Sequence, residues 1–283
     1  MQKQQILVVF GGLILLAGLY LLAPMVNPEK GTKVPEVAAS DSVFRFENFE
    51  KDVIAQLSES RQQYLSGELA QVKRGDVAIQ ESKYWRKMVA FWKDSVPVPP
   101  LHYFYQAKLA ELDNTEKSLT FAAHSILGYL PYERNHPVQH WLAGRGRELF
   151  EKALVLNPAN DSATVGLGGC IMYGGSAAGD NPMAGIIKVR EVAEKDSNNL
   201  FAQYMLGVGG VISGQFDKAI SRFEKVALKQ PNNIELLFKL AETCEQAGQK
   251  ADAADWYERI NSLVGNPEMK KELEARIQSL RKG

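Results

Sequence analysis

From Phe216 onward the apolar residues Phe216, Ala219, Ile220, Phe223 and Val226 recur at helical spacing, with Asp217, Lys218, Arg222 and Glu224 between them. That pattern predicts an amphipathic helix buried along one stripe. Pro231 stops it, and "PNN" supplies a turn and the cap of the next helix. The pattern then returns 34 residues later: Leu206 meets Leu240, Gly207 meets Ala241, Gly214 meets Gly248, Ala219 meets Ala253, Phe223 meets Tyr257 and Val226 meets Ile260. A fixed period of this length is the signature of stacked supersecondary units. Further back, Phe150, Ala153 and Pro158 repeat the ending Phe223, Val226, Pro231. Residues 161–199 form a 39-residue version in which Leu167 and Gly168 anticipate Leu206 and Gly207. The additional residues fall in the turn "GGSAAGDNP".

The periodicity weakens toward the amino terminus. Residues 115–160 make a longer unit with "LGYLPYERNHPVQHW" between its helices, and residues 81–114 make a 34-residue unit ending in Phe104 and Ala107. Phe49, Val53, Leu57 and Leu65 mark helical segments over 44–80, which are expected to cap the array. Residues 268–283 read as a polar capping helix with Met269, Leu273, Ile277 and Leu280 turned inward. Ahead of these, 27–43 is a proline-containing tether without apolar periodicity. Residues 6–26 carry no charge over 21 positions, about the length that crosses a ~30 Å hydrocarbon layer. A transmembrane anchor over 1–26 is therefore expected; the rival reading is a cleaved secretory signal with Lys3 as its positive region. Lys3 on one side and Lys30 and Lys33 on the other leave the orientation open.

The units from 81 to 267 resemble the tetratricopeptide repeat family. Ala202, Leu206, Gly207, Gly214, Phe216, Ala219, Phe223 and Pro231 carry the resemblance, while Lys87 stands where a leucine is usual. The resemblance implies an all-α chain, a right-handed α-solenoid of helix pairs divided 81–114, 115–160, 161–199, 200–233 and 234–267, preceded by one transmembrane helix. It also implies a concave groove lined by the first helices. Transferred position by position, the groove takes Trp85, Val89, Trp92, Leu119, Ile126, Val165, Met172, Tyr173, Phe201, Tyr204, Val208, Ile212 and Phe238, with Glu242 and Glu245 making one end acidic. The function implied is a membrane-anchored scaffold or adaptor binding a protein or peptide partner, attending envelope biogenesis or export on the periplasmic side of a bacterial inner membrane; a cytoplasmic orientation stays open. Three other fates for the stripe are open: burial by tight packing within the superhelix, occupation by the chain's own Phe44–Leu65 helix, and self-association into a homodimeric membrane organiser.

Composition and candidate chemistry narrow the field. Basic and acidic side chains balance at 33 each, so there is no basic surface to collect nucleic-acid phosphates. Cys170 and Cys244 cannot make a disulfide framework. "GLGGCIMYGGS" approaches a phosphate-binding loop, but Gly175 occupies the lysine position and no strand precedes Gly169. In "HPVQH", Pro137 stands where a metalloprotease needs glutamate and fits the first turn of a helix. No cofactor, metal, small-molecule substrate or catalytic role is expected. If residues 6–26 anchor the chain, deleting residues 1–26 should move it from the carbonate-resistant membrane fraction to the supernatant; retention in the membrane would refute the anchor.

Overall fold

The computed structural model describes residues 44–72, 77–174 and 181–282. The regular elements among them are helices: α1 (Phe46–Ala55), α2 (Glu59–Val72), α3 (Val77–Ala90), α4 (Pro99–Asp113), α5 (Glu116–Tyr129), α6 (His136–Leu156), α7 (Asp161–Gly174), α8 (Pro182–Lys195), α9 (Leu200–Ile212), α10 (Phe216–Ala227), α11 (Ile234–Gln246), α12 (Lys250–Leu263) and α13 (Pro267–Lys282). A π-turn at Phe91–Ser95 extends α3, and a 3-10 turn at Leu130–Tyr132 follows α5. No helix among the described residues is long and apolar enough to cross a membrane. The predicted 6–26 span and the 27–43 tether lie outside the described residues, as does most of the glycine-rich turn after α7.

Two compact units divide the chain, Thr32–Met205 and one containing Leu206–Gly283, with the boundary inside α9. In the first, successive helices from α2 to α8 pack on their chain neighbours, and α4 also touches α6 while α5 touches α7. Each of the stretches 115–160 and 161–199 holds one helix pair, whereas α3 begins at Val77, ahead of Glu81. The starts of these helices are set by short polar side chains that accept the orphan N–H groups of the first turn. Asn135 accepts from Val138 N (3.2 Å), Asn160 from Ala163 N (2.9 Å), Asn181 from Met183 N (2.9 Å) and Asn199 from Ala202 N (3.0 Å). Thr115 and Ser118 form a reciprocal capping box at α5.

Helix α7 is apolar nearly all round, with Val165 to Met172 buried without a break. Its glycines explain how it is packed on several sides. A Cβ at Gly166 would fall 2.2 Å from Phe150 Cζ on α6; at Gly168, 2.7 Å from Gly185 O on α8; at Gly169, 2.9 Å from Leu127 Cδ1 on α5. Phe150 is fully buried and has nowhere to retreat.

In the second unit α10 packs on α11, α11 on α12 and α12 on α13. Helix α10 is its one-sided counterpart to α7, burying Ala219, Ile220, Phe223, Val226 and Ala227. The glycines 34 apart, Gly214 and Gly248, both adopt left-handed backbone, φ 71° and 77°. Each closes a helix in the same way: Gln215 N donates to Gly210 O and Gly214 N to Val211 O, as Gln249 N donates to Cys244 O and Gly248 N to Glu245 O. This is the Schellman closure, which favours glycine because other residues meet a Cβ penalty there.

Two glycine substitutions should move stability in opposite directions. Gly166→Ala meets the Phe150 ring and should cost about 1–3 kcal/mol. Gly144→Ala meets nothing within 4 Å in mid-α6 and should add about 1 kcal/mol through helix propensity. Urea unfolding of the two variants checks both; equal effects would refute the packing account.

Candidate interaction surface

Within Thr32–Met205 the caps fix a common register for the first helices. Counting from Thr115, Asn160 and Asn199, the second, fifth and ninth following positions are Lys117, Thr120 and His124 on α5; Ser162, Val165 and Gly169 on α7; and Phe201 and Tyr204 on α9. Three of these side chains, His124, Ser162 and Phe201, come together, with Phe150 of α6 against the same ring. His124 Nε2 lies 2.9 Å from Ser162 Oγ. Its ring is met edge-on by Phe150 and Phe201, at centroid distances of 4.9 and 5.3 Å. One turn before it, Phe121 is 65% exposed. Burial pulls the His124 pKa below its ordinary 6.5, so the imidazole is neutral at pH 7. The strip is thus aromatic, uncharged at its centre and supplied with side-chain hydrogen-bonding groups.

This register corrects part of the sequence expectation. Leu119 and Ile126 are wholly buried, and Ile126 packs toward Gly146 on α6. Both are core residues, and His124 and Phe121 hold the accessible places on α5 instead. The signal that marks the register is Thr115, a helix cap in line with Asn160 and Asn199, because the 45-residue spacing from Thr115 to Asn160 hides the period. Val165 and Met172 are also buried, whereas Tyr173, Phe201 and Tyr204 stay partly accessible.

The predicted positions on α3 have a different fate. Trp92 is buried, and Trp85 and Val89 pack against a cluster that includes Phe46, Phe49 and Val53 of α1 and Leu57 beyond it. The chain's own first described helix belongs to the same buried cluster and meets α4 and α6 directly. Phe46 stacks on Phe104 of α4 at 3.8 Å and on Trp141 of α6 at 4.7 Å, and Phe44 also meets Trp141. Glu50, on the same face of α1, accepts a hydrogen bond from the Tyr105 hydroxyl. Burial, the largest influence, raises the Glu50 carboxyl above its ordinary value, the Tyr105 bond opposes this, and nearby Glu47 adds to it. A separate open hollow of about 530 Å³ lies between α2 and the π-turn, lined by Arg61, Tyr64, Lys87, Phe91 and Asp94. Lys87 is committed to Glu68 at 2.6 Å.

In the unit from Leu206, Val208 and Phe238 are buried, Phe238 edge-on to Tyr257 at 6.2 Å, while Ile212 is 43% exposed. Glu245 accepts from Tyr257 Oη at 2.8 Å and from Arg276 Nε at 3.0 Å. Its charge is thus balanced by α13, and it is not a bare acidic anchor. Glu242 is half-buried; burial raises its carboxyl, Lys239 opposes this, and Glu245 adds to it.

A comparison with known families matches only the later part of the chain, where the Gly214 and Gly248 closures lie. Residues 211–277 match the family model described as Tetratricopeptide repeat. The tetratricopeptide repeat segment takes in both Schellman closures, α10 to α12 and most of α13. No curated protein matches the chain significantly. Solved structures that resemble it include MamA 41-end from Desulfovibrio magneticus RS-1, 18% identical over 65% of this chain and 94% of that one with a TM-score of 0.41. YrrB, described as a TPR protein with an unusual peptide-binding site, is 15% identical over 75% of this chain and 97% of that one, with a TM-score of 0.39. At these identities and scores neither fixes a function for this chain.

The neutral His124 carries a pH signature. A base whose folded pKa is depressed contributes stability that is present above its unfolded value near 6.5 and is lost as pH falls through the window below it. Wild type should therefore lose more stability than His124→Gln between pH 7.5 and 5.5. Parallel urea midpoints for the two proteins across that range would refute a buried neutral His124.

Proposed function

We propose that this chain is a non-catalytic protein-interaction scaffold that takes an extended apolar segment of a partner protein across the strip of Phe121, His124, Ser162, Phe201 and Tyr204. The observation that carries the reading is Phe121. A phenylalanine 65% exposed beside a half-buried histidine and two further aromatic side chains is an anchor awaiting a counterpart, not a core residue. His124 and Ser162 add donors and acceptors that an extended backbone can use, and the neutral imidazole imposes no desolvation cost of a buried cation. The tetratricopeptide repeat match over 211–277 supports a scaffold, and Ile212, Glu242 and Glu245 are the groove positions of that segment. Of the other groove positions, Trp92, Leu119, Ile126, Val165, Met172, Val208 and Phe238 are buried and serve this reading as support beneath the surface, while Trp85, Val89 and Tyr173 stay partly accessible.

Residues 6–26 would hold the scaffold at a membrane, and we place it on the exported side of a bacterial inner membrane, attending protein export or envelope assembly. A photocrosslinking residue at position 121 or 204 should trap one and the same partner in native membranes. Phe201→Ala should weaken that capture about ten-fold or more with far-UV circular dichroism unchanged. Trapping of a second copy of this chain would replace the scaffold reading with the homodimeric organiser. Unrelated products from the two positions would refute a common site.

A further inference from the structure

Helix α1 sits on the first unit in the way a bound peptide helix does. Phe46, Phe49 and Val53 recur at i, i+3 and i+7 and are buried, while Glu47, Asn48, Lys51 and Asp52 face solvent. The Phe46 ring enters between α4 and α6, stacked against Phe104 on one and Trp141 on the other. An amphipathic helix whose apolar side chains fill a groove between two others is a recurrent recognition mode.

What sets α1 apart from the other helices is how little else holds it. It is ten residues long, shorter than the length at which an isolated helix is stable. No side chain caps its first turn, and no basic residue stands in its last. Among the described residues no ion pair ties it to the rest of the unit. Among the described residues its polar attachments to other helices are Glu50, which accepts from the Tyr105 hydroxyl, and Ala55 O, which accepts from Gln62 Nε2 on α2 at 3.4 Å; the first requires a carboxylate to leave water on the same face as the aromatic anchors. The docking is thus made by ring stacking and weakened by a buried acid.

We propose that α1 is a detachable internal ligand, and that the seat it occupies on α4 and α6 is a second docking site for an amphipathic partner helix. That helix would carry aromatic or aliphatic anchors in the spacing of Phe46, Phe49 and Val53, with an uncharged hydrogen-bond acceptor at the place of Glu50. This site is distinct from the strip around His124. It rests on the scaffold reading only for the existence of a partner, since α1 can be shown to leave its seat with no partner present. The partner helix competes with a segment of the same chain, whose effective concentration is high, so exchange happens only for a helix that fits better than α1 does. Glu50 sets that threshold: it lowers the affinity of α1 for its own seat without disturbing the stacking that defines the site.

The first test uses the full chain without substitution. Hydrogen exchange at neutral pH should show α1 amides opening locally, at least about 100-fold faster than the amides of α5 and α7. Glu50→Gln keeps the acceptor, removes the buried charge and should slow α1 exchange relative to wild type. The second test adds a labelled peptide spanning Phe44–Leu57 to Phe46→Ala/Phe49→Ala and to wild type, read by fluorescence anisotropy. The double variant should bind the peptide at least about ten-fold more tightly than wild type, and a peptide carrying both alanines should not bind. Exchange of α1 only together with α5 and α7 would overturn the proposal. So would a folded double variant that binds the peptide no better than wild type. If the double variant does not fold, the exchange measurement on wild type decides. Release of α1 with no partner trapped at 121 or 204 would leave this inference standing and the His124 strip without support.

Discussion

Helix α7 carries no side chain where its neighbours press hardest. Gly166 lies under the Phe150 ring, Gly168 and Gly185 bring the α7 and α8 backbones together, and Gly169 receives Leu127 and Met205. Packing at this density leaves no room for a methyl group: α8 approaches α7 backbone to backbone, and α5, α6 and the start of α9 press side chains directly on its glycines. The consequence reaches the surface. Ser162, one turn into α7, can meet His124 at 2.9 Å only because the spacing between α5 and α7 is held beneath them. The strip is therefore as rigid as the glycine packing under it, and a rigid scaffold loses little freedom on binding.

Legibility in the sequence follows the nature of each constraint. Gly214 and Gly248 could be aligned because a left-handed closure admits few residues other than glycine, which makes the backbone requirement visible as a letter. Phe223 and Tyr257 aligned for a similar reason, each filling the space between paired helices. The register of α5 was hidden because the turn between α5 and α6 is long and its cap is threonine while its counterparts are asparagines. Leu119 and Ile126 then looked like groove residues, since an apolar residue reads alike whether it faces the core or a partner. Joining of Trp85 and Val89 to a cluster that includes α1 was only one of several open readings, because sequence periodicity shows that a helix has an apolar face without saying where it is buried.

Both units seat a helix over positions that the repeat pattern assigns to a partner, and they do so with different chemistry. In the second unit α13 brings Arg276 to Glu245, which also accepts from Tyr257, so the carboxylate has two donors and a countercharge. Burial of Met269, Leu273 and Ile277 adds an apolar face to that ion pair. Removing α13 would leave Glu245 without its charge partner beside Glu242, whose carboxyl burial already raises. That outcome is costly, because an uncompensated buried charge is worse than a pair never formed.

Helix α1 presents the reverse balance. When it leaves, Glu50 regains water and Tyr105 loses an acceptor, while Phe104 and Trp141 lose a stacking partner. The electrostatic change favours release and the apolar change opposes it, whereas in α13 both terms favour the docked state. A second helix supplying the same rings without the acid would satisfy the aromatic seat and lift the electrostatic cost at once. The difference between the two seated helices thus comes down to one side chain: Glu245 meets a cation and Glu50 does not. A helix that caps a stack for good needs its buried charge balanced by a countercharge, and Glu50 of α1 has a hydroxyl donor but no cation.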